Sequence, residues 1–234
     1  MKNLKPFKCF FSYYGSKAKI ANKYPKPKHH TVIEPFCGAA NYAVANFDNN
    51  VVLRDTNPVI VDLWKYLIAA SPKDILGLPS FYHGLDLDSL NLAKEERYFL
   101  GFWANRGSVA PRRFVSNFAV GNSNGNVYFE NVKKQVADNL FRIRHWDVKL
   151  DTFENIPTWF PATWFIDPPY VNGGNLYIKT NVDYKILGKF CNQLTGQVIV
   201  CESFGADWLP FVPLCENVGS RRVGKEVVFI KNAP

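Results

Sequence analysis

A chain of 234 residues, 47% of them hydrophobic, can bury a proper core as one domain or as one domain carrying a sizeable insertion. Its five cysteines (Cys9, Cys37, Cys191, Cys201, Cys215) are scattered, with no Cys-x-x-Cys and no histidine at zinc spacing, which argues against a disulfide framework or structural zinc and favours a reducing cytoplasm. The net charge is +8 and no apolar run approaches the roughly 20 residues needed to cross a bilayer, so nucleic acid is the first partner to consider and a membrane is not.

The basic excess sits at the start of the chain. Eight lysines from Lys2 to Lys28 precede the first acid, Glu34, and the 20 basic and 20 acidic residues beyond cancel. Such a run either meets a polyanion, releasing counterions, or is a solvated arm. Thr31 to Ile33 reads as a buried strand, Ala39 to Phe47 as an alanine-rich helix, Val51 to Leu53 as a second strand, and Val59 to Ala70 as a helix with Pro58 at its start. The alternation predicts an open α/β sheet. From Ser71 to Leu150 it breaks into a stretch rich in Asn, Gly, Arg and aromatics, helical around Ala93 to Trp103 and Glu130 to Ile143, with a turn-rich loop at Gly121 to Asn126. Thr163 to Ile166 and Gln197 to Val200 restore the strand pattern, and Glu226 to Ile230 predicts an antiparallel edge strand.

Two places carry chemistry. Val32 to Ala40 runs from a strand through Glu34-Pro35-Phe36-Cys37-Gly38 into a helix, and Asp55 follows at the end of the second strand, the position of a ribose-binding acid in nucleotide-binding sheets. The turn lacks Gly-x-Gly-x-x-Gly, so it suits a nucleoside without phosphates, such as S-adenosylmethionine, although similar turns occur in sheets without a ligand. The second place is Trp164-Phe165-Ile166-Asp167-Pro168-Pro169-Tyr170. It sets a carboxylate at a strand end, prolines that donate no hydrogen bond, and an aromatic face beside them. Two acceptors on a ring-conjugated amine localise its lone pair for attack on a methyl group. In a duplex the base must first leave the stack.

With Tyr13-Tyr14-Gly15-Ser16-Lys17 and Asp55-Thr56-Asn57, these stretches resemble the Dam-type (α-group) adenine-specific DNA methyltransferases, in content and in order. The resemblance implies a Rossmann-like S-adenosylmethionine-dependent methyltransferase sheet, residues 1–70 and 151–234, with a mostly helical target-recognition insertion, residues 71–150. It implies that Tyr13, Lys17, Glu34, Phe36, Gly38, Asp55 and Asp167 bind S-adenosyl-L-methionine, with Asp55 on the ribose and Lys17 near the carboxylate. It implies further that Asp167, Pro168, Pro169 and Tyr170 form the catalytic corner, with Tyr170 stacking on a flipped adenine in DNA. Ser16, Ala40 and Glu202 depart from the family pattern, which leaves open a DNA-binding relative without turnover, and a cytosine-N4 enzyme stays open because that target is also a ring-conjugated amine that the same corner could serve. Arg106, Arg112, Arg113, Arg142 and Arg144 are candidates for phosphate or guanine contact, or surface charge. Gly219 to Lys225 imitates a phosphate loop, but Glu226 stands where Ser or Thr is needed. The histidines lack ligand companions, so no metal is expected.

Overall fold

The computed structural model describes residues 6–120, 126–172, 182–218 and 223–232. All but the last residue of the expected Gly121 to Asn126 loop, and residues 219–222 of the phosphate-loop imitation, lie outside these. In chain order the elements are β1 (Thr31–Glu34), α1 (Asn41–Ala45), β2 (Asn50–Asp55), α2 (Pro58–Ala69), α3 (Pro72–Leu76), α4 (Lys94–Trp103), α5 (Asn117–Val120), α6 (Asn126–Asn139), β3 (Asp147–Leu150), β4 (Ala162–Ile166), α7 (Tyr184–Gln193), β5 (Gly196–Ser203), β6 (Val212–Val218) and β7 (Val223–Asn232).

One sheet holds the strands in the order β3-β2-β1-β4-β5-β7-β6. The first five run parallel, while β7 pairs antiparallel with both β5 and β6. This is the expected α/β architecture, with the order reversing between β1 and β4. Every residue of β4 is buried, as a central parallel strand covered on both faces requires. Period-two alternation divides the core: Val32, Phe165, Ile199 and Cys201 face the layer of α1, α2 and the middle helices. Ile33, Trp164, Ile166, Val198 and Val200 face the opposite layer, where α7 packs through Leu187, Phe190 and Cys191.

Three differences from the sequence reading have local causes. Asp147–Leu150, counted with the insertion, is the edge strand β3, paired with β2 from Val52↔Asp147 to Asp55↔Leu150. Only Val148 of its four residues is buried, so it carries little hydrophobic signal. β7 is interior, because β6 covers its outer edge; β6 contains Pro213 and a register shift between Pro213 and Cys215, features tolerated at an edge. The first helix begins at Asn41 because Ala40 adopts left-handed backbone, φ 45 and ψ 43.

The middle segment shares the core of the sheet. Phe81 and Phe129 stack at 3.8 Å, and both belong to the cluster that includes Trp64 of α2 and Leu53 of β2. The N-terminal segment is fixed by Phe10 and Phe11, fully buried against Trp64 at 5.7 and 5.4 Å. That packing delivers Tyr13 to Lys17 to the rim of the sheet.

Candidate active site

A cavity of about 560 Å³ opens beyond the carboxyl ends of β1, β2 and β4, at the point where the strand order reverses. Its size falls within the 300 to 1,000 Å³ typical of small-molecule sites, and its place is the ligand crevice of open α/β sheets. Tyr13, Lys17, Glu34, Phe36, Gly38, Asp55 and Asp167 all line it, together with Pro169. Pro168 and Tyr170 flank these in sequence but are not among the lining residues. The stretch Thr152-Phe153-Glu154 after β3 supplies a wall that sequence reasoning missed, with the Phe153 ring 5.5 Å from Phe36.

The turn after β1 is built around Asp55. Its Oδ2 accepts from the Gly38 amide at 3.0 Å and from the Cys37 thiol at 3.8 Å, and its Oδ1 from the Asn57 amide at 2.9 Å, so the turn holds the carboxylate in place at the cavity wall. Burial pushes the Asp55 carboxyl above its usual range, opposed by these amide bonds. Gly38 has φ +43, and a Cβ there would stand 3.1 Å from the Tyr13 ring, so glycine permits both the backbone and the close approach of Tyr13. Glu34 is 2% exposed and accepts from the Ala43 amide at 2.7 Å. Desolvation raises its pKa well above the carboxylate range, and the Ala43 bond only partly opposes that. Cys37 is buried with its Sγ 3.8 Å from Asp55, and burial drives the thiol up in pKa, as suits a packing residue.

At the second place Lys17 is the hub. Its Nζ lies 2.8 Å from Asp167 Oδ1, 3.8 Å from Glu226 Oε1 and 3.2 Å from the Gly15 carbonyl, and 4.6 Å from the centre of the Tyr170 ring. Burial alone would lower its pKa, but the charges of Asp167 and Glu226 outweigh it and hold the ammonium above the ordinary lysine range. The Tyr170 hydroxyl donates to Glu226 Oε1 at 2.5 Å. The Pro169 carbonyl accepts from the Tyr184 hydroxyl at 2.5 Å, and the Val171 amide donates to Glu202 Oε1 at 2.8 Å.

Residues 13–146, more than half of the chain, match the D12 class N6 adenine-specific DNA methyltransferase family. The chain belongs to that family. The match ends before Asp167, so it does not reach the Asp-Pro-Pro-Tyr stretch, of which Asp167 and Pro169 line the cavity. A search of curated proteins returns no match. Among solved structures, a candidate methylase from Haemophilus influenzae superposes with a TM-score of 0.37 at 10% identity, covering 87% of this chain and 80% of its own. A candidate methyltransferase from Escherichia coli gives 0.37 at 9% identity, covering 93% and 81%.

The three residues expected to depart from the motif pattern each have a structural role. Ser16 donates to Asn41 Oδ1 at 2.6 Å, tying the first motif to α1. Ala40 makes the turn into α1. Glu202, fully buried, anchors the backbone just past Tyr170 through the Val171 amide. The arginines singled out for nucleic acid have protein partners: Arg113 bonds Asp86 through Nε and Nη2, Arg144 the Ile68 and Ala70 carbonyls, Arg112 Ser108, and Arg106 the Phe118 carbonyl. Arg142 is buried, 4.4 Å from the Phe47 ring centre. Among the described residues no group of three metal-ligating side chains occurs, and no helix is long and apolar enough to cross a membrane.

Proposed function

We propose that the chain transfers a methyl group from S-adenosyl-L-methionine to the exocyclic N6 of an adenine turned out of DNA. The observation that carries this reading is that Asp167, at the end of β4, opens on the same cavity as Asp55 and Lys17. The lining fits the cofactor: a carboxylate at a strand end for ribose hydroxyls, aromatic walls at Tyr13 and Phe36, and the positive charge of Lys17 on the cavity wall near where a ligand carboxylate would lie. When bound, S-adenosylmethionine supplies an electrophilic methyl group on a sulfonium whose departure leaves a neutral thioether.

Asp167 accepts one hydrogen of the adenine amine and the Pro168 carbonyl the other, which localises the nitrogen lone pair and aims it. Prolyl rings keep this corner stiff, and the Pro169 carbonyl is already engaged by Tyr184, so the acceptor role falls to Pro168. Lys17 holds one Asp167 oxygen, so the other faces the amine. Tyr170 gives its ring to the flipped base, offsetting part of the few kcal/mol lost on unstacking. As adenine forms its N–C bond, the surplus amine proton passes to Asp167 or to water.

The test is expression in a host free of DNA methylation, followed by a map of modified bases. N6-methyladenine at a defined sequence is expected, falling at least about a hundredfold in the Asp167→Ala variant. N4-methylcytosine alone, or no modified base from the wild-type chain, overturns the reading.

A further inference from the structure

We infer that Glu226, on the antiparallel strand β7, is a positioning residue for methyl transfer, acting on Asp167 through Lys17 and Tyr170; this rests on the function proposed above. Glu226 pairs with Ser203 across the β5–β7 ladder and is 5% exposed. A carboxylate that far from water needs a reason and partners. Its Oε1 accepts from the Tyr24 hydroxyl at 2.7 Å and the Tyr170 hydroxyl at 2.5 Å, and Lys17 Nζ lies 3.8 Å away. Tyr24 is itself fixed, 3% exposed with its ring 5.0 Å from Phe165 of β4, so it pins the carboxylate from the core side.

The consequence is geometric. Tyr170 follows Asp167 by three residues, and Lys17 bonds Asp167 directly at 2.8 Å. Glu226 therefore grips the catalytic corner at both ends, holding the Tyr170 ring by its hydroxyl and the ammonium that orients Asp167. It adds a second negative charge beside Lys17, which keeps that side chain from being drawn wholly onto Asp167. Methyl transfer needs the amine and the methyl carbon in line, and a displacement of about 1 Å can cost on the order of 10²-fold in rate. Glu226 is buried with its Oε1 turned to Tyr24, Tyr170 and Lys17, so it acts on alignment through those groups and not by touching substrate.

The experiment measures single-turnover methyl transfer, cofactor and DNA dissociation constants and thermal stability for wild type, Glu226→Ala, Glu226→Gln, Tyr170→Phe and Glu226→Ala/Tyr170→Phe. Expected are a 30- to 100-fold loss of rate in Glu226→Ala with both dissociation constants within threefold, and recovery to within about tenfold of wild type in Glu226→Gln, which keeps an acceptor for the tyrosines. The double variant should be no slower than the slower single one, since the one contact that Tyr170→Phe cuts is among those that Glu226→Ala removes. A Glu226→Ala rate within threefold of wild type overturns the inference, as does a joint fall of rate, affinity and stability without rescue by glutamine. If Glu226→Ala does not fold, Tyr170→Phe decides, because it cuts the same bond from the other side; a rate within threefold of wild type then overturns the inference. An active wild type with an indifferent Glu226→Ala sinks only this inference, whereas a wild type without adenine transfer sinks the proposed function as well.

Discussion

At Ala40 a methyl group sits where the backbone favours none. Its φ of 45 and ψ of 43 lie in the left-handed region, and among the described residues it is the one non-glycine with positive φ. The turn imposes this: the Ala40 amide donates to the Cys37 carbonyl at 2.6 Å and the Ala40 carbonyl accepts from Val44 at 2.9 Å, starting α1. Left-handed backbone costs a residue with Cβ roughly 1–2 kcal/mol. The buried methyl returns about 0.8 kcal/mol. Backbone strain outweighs the methyl's burial, so Ala40→Gly should raise stability by about 0.5 kcal/mol, read as a higher urea midpoint at unchanged slope. A lower midpoint would mean that packing of this methyl outweighs the strain. Because Ala40 also lines the cavity, the same variant gives slightly more room beside the proposed cofactor.

Strand β1 ends on Glu34, whose carboxylate bonds the Ala43 amide and so joins β1 to α1. Desolvation raises its folded pKa well above the unfolded value of about 4.3. Between those two values the folded state holds more protons than the unfolded one, so this group's contribution falls as pH rises through the window and is flat beyond it. Glu34→Gln keeps the acceptor and removes the titration. The stability of Glu34→Gln relative to wild type should therefore climb as pH is raised from about 4, measured by urea unfolding at a series of pH values. Parallel curves would show that Glu34 does not titrate in this way. The elements differ in how far the sequence announces them. β1, β2, β4 and β5 are runs of aromatic and branched apolar residues, legible because central strands are buried on both faces. β3 and β6 are not, with one buried residue in the first and Pro213 and a register shift in the second. The same division holds in the site. Gly38, Asp55 and Asp167 announce themselves because strand ends and their turns are local. Glu202 reads only as a departure from pattern and Glu226 only as a mismatch in a false phosphate loop, since their roles arise from the register Glu202↔Val227 and Ser203↔Glu226, which brings distant stretches together.

Across the whole molecule, the described lysines of the basic stretch do not all gather at the cavity. Lys17 is spent inside the site. Lys26 and Lys28 lie at the opposite end of the sheet: the Lys28 amide donates to Thr163 Oγ1 and Gln197 Oε1, and the Lys26 carbonyl accepts from Gln197 Nε2, beside the first residues of β4 and β5. Asp167 follows the last residue of β4, four positions along the strand from Thr163, which is about 13 Å at 3.3 Å per residue. Under the proposed function a duplex presenting its base to the cavity would approach from the Asp167 end, so these two lysines lie at the end of the sheet away from it. Each phosphate contact adds about 0.9 to the slope of log affinity against log salt. Replacing Lys26 and Lys28 together by glutamine should leave that slope changed by less than about 0.5, while two lost contacts would lower it by about 1.8. Binding of a methylatable duplex across 50 to 300 mM salt measures it, and a drop near the larger figure would show that DNA wraps past the sheet to its far end.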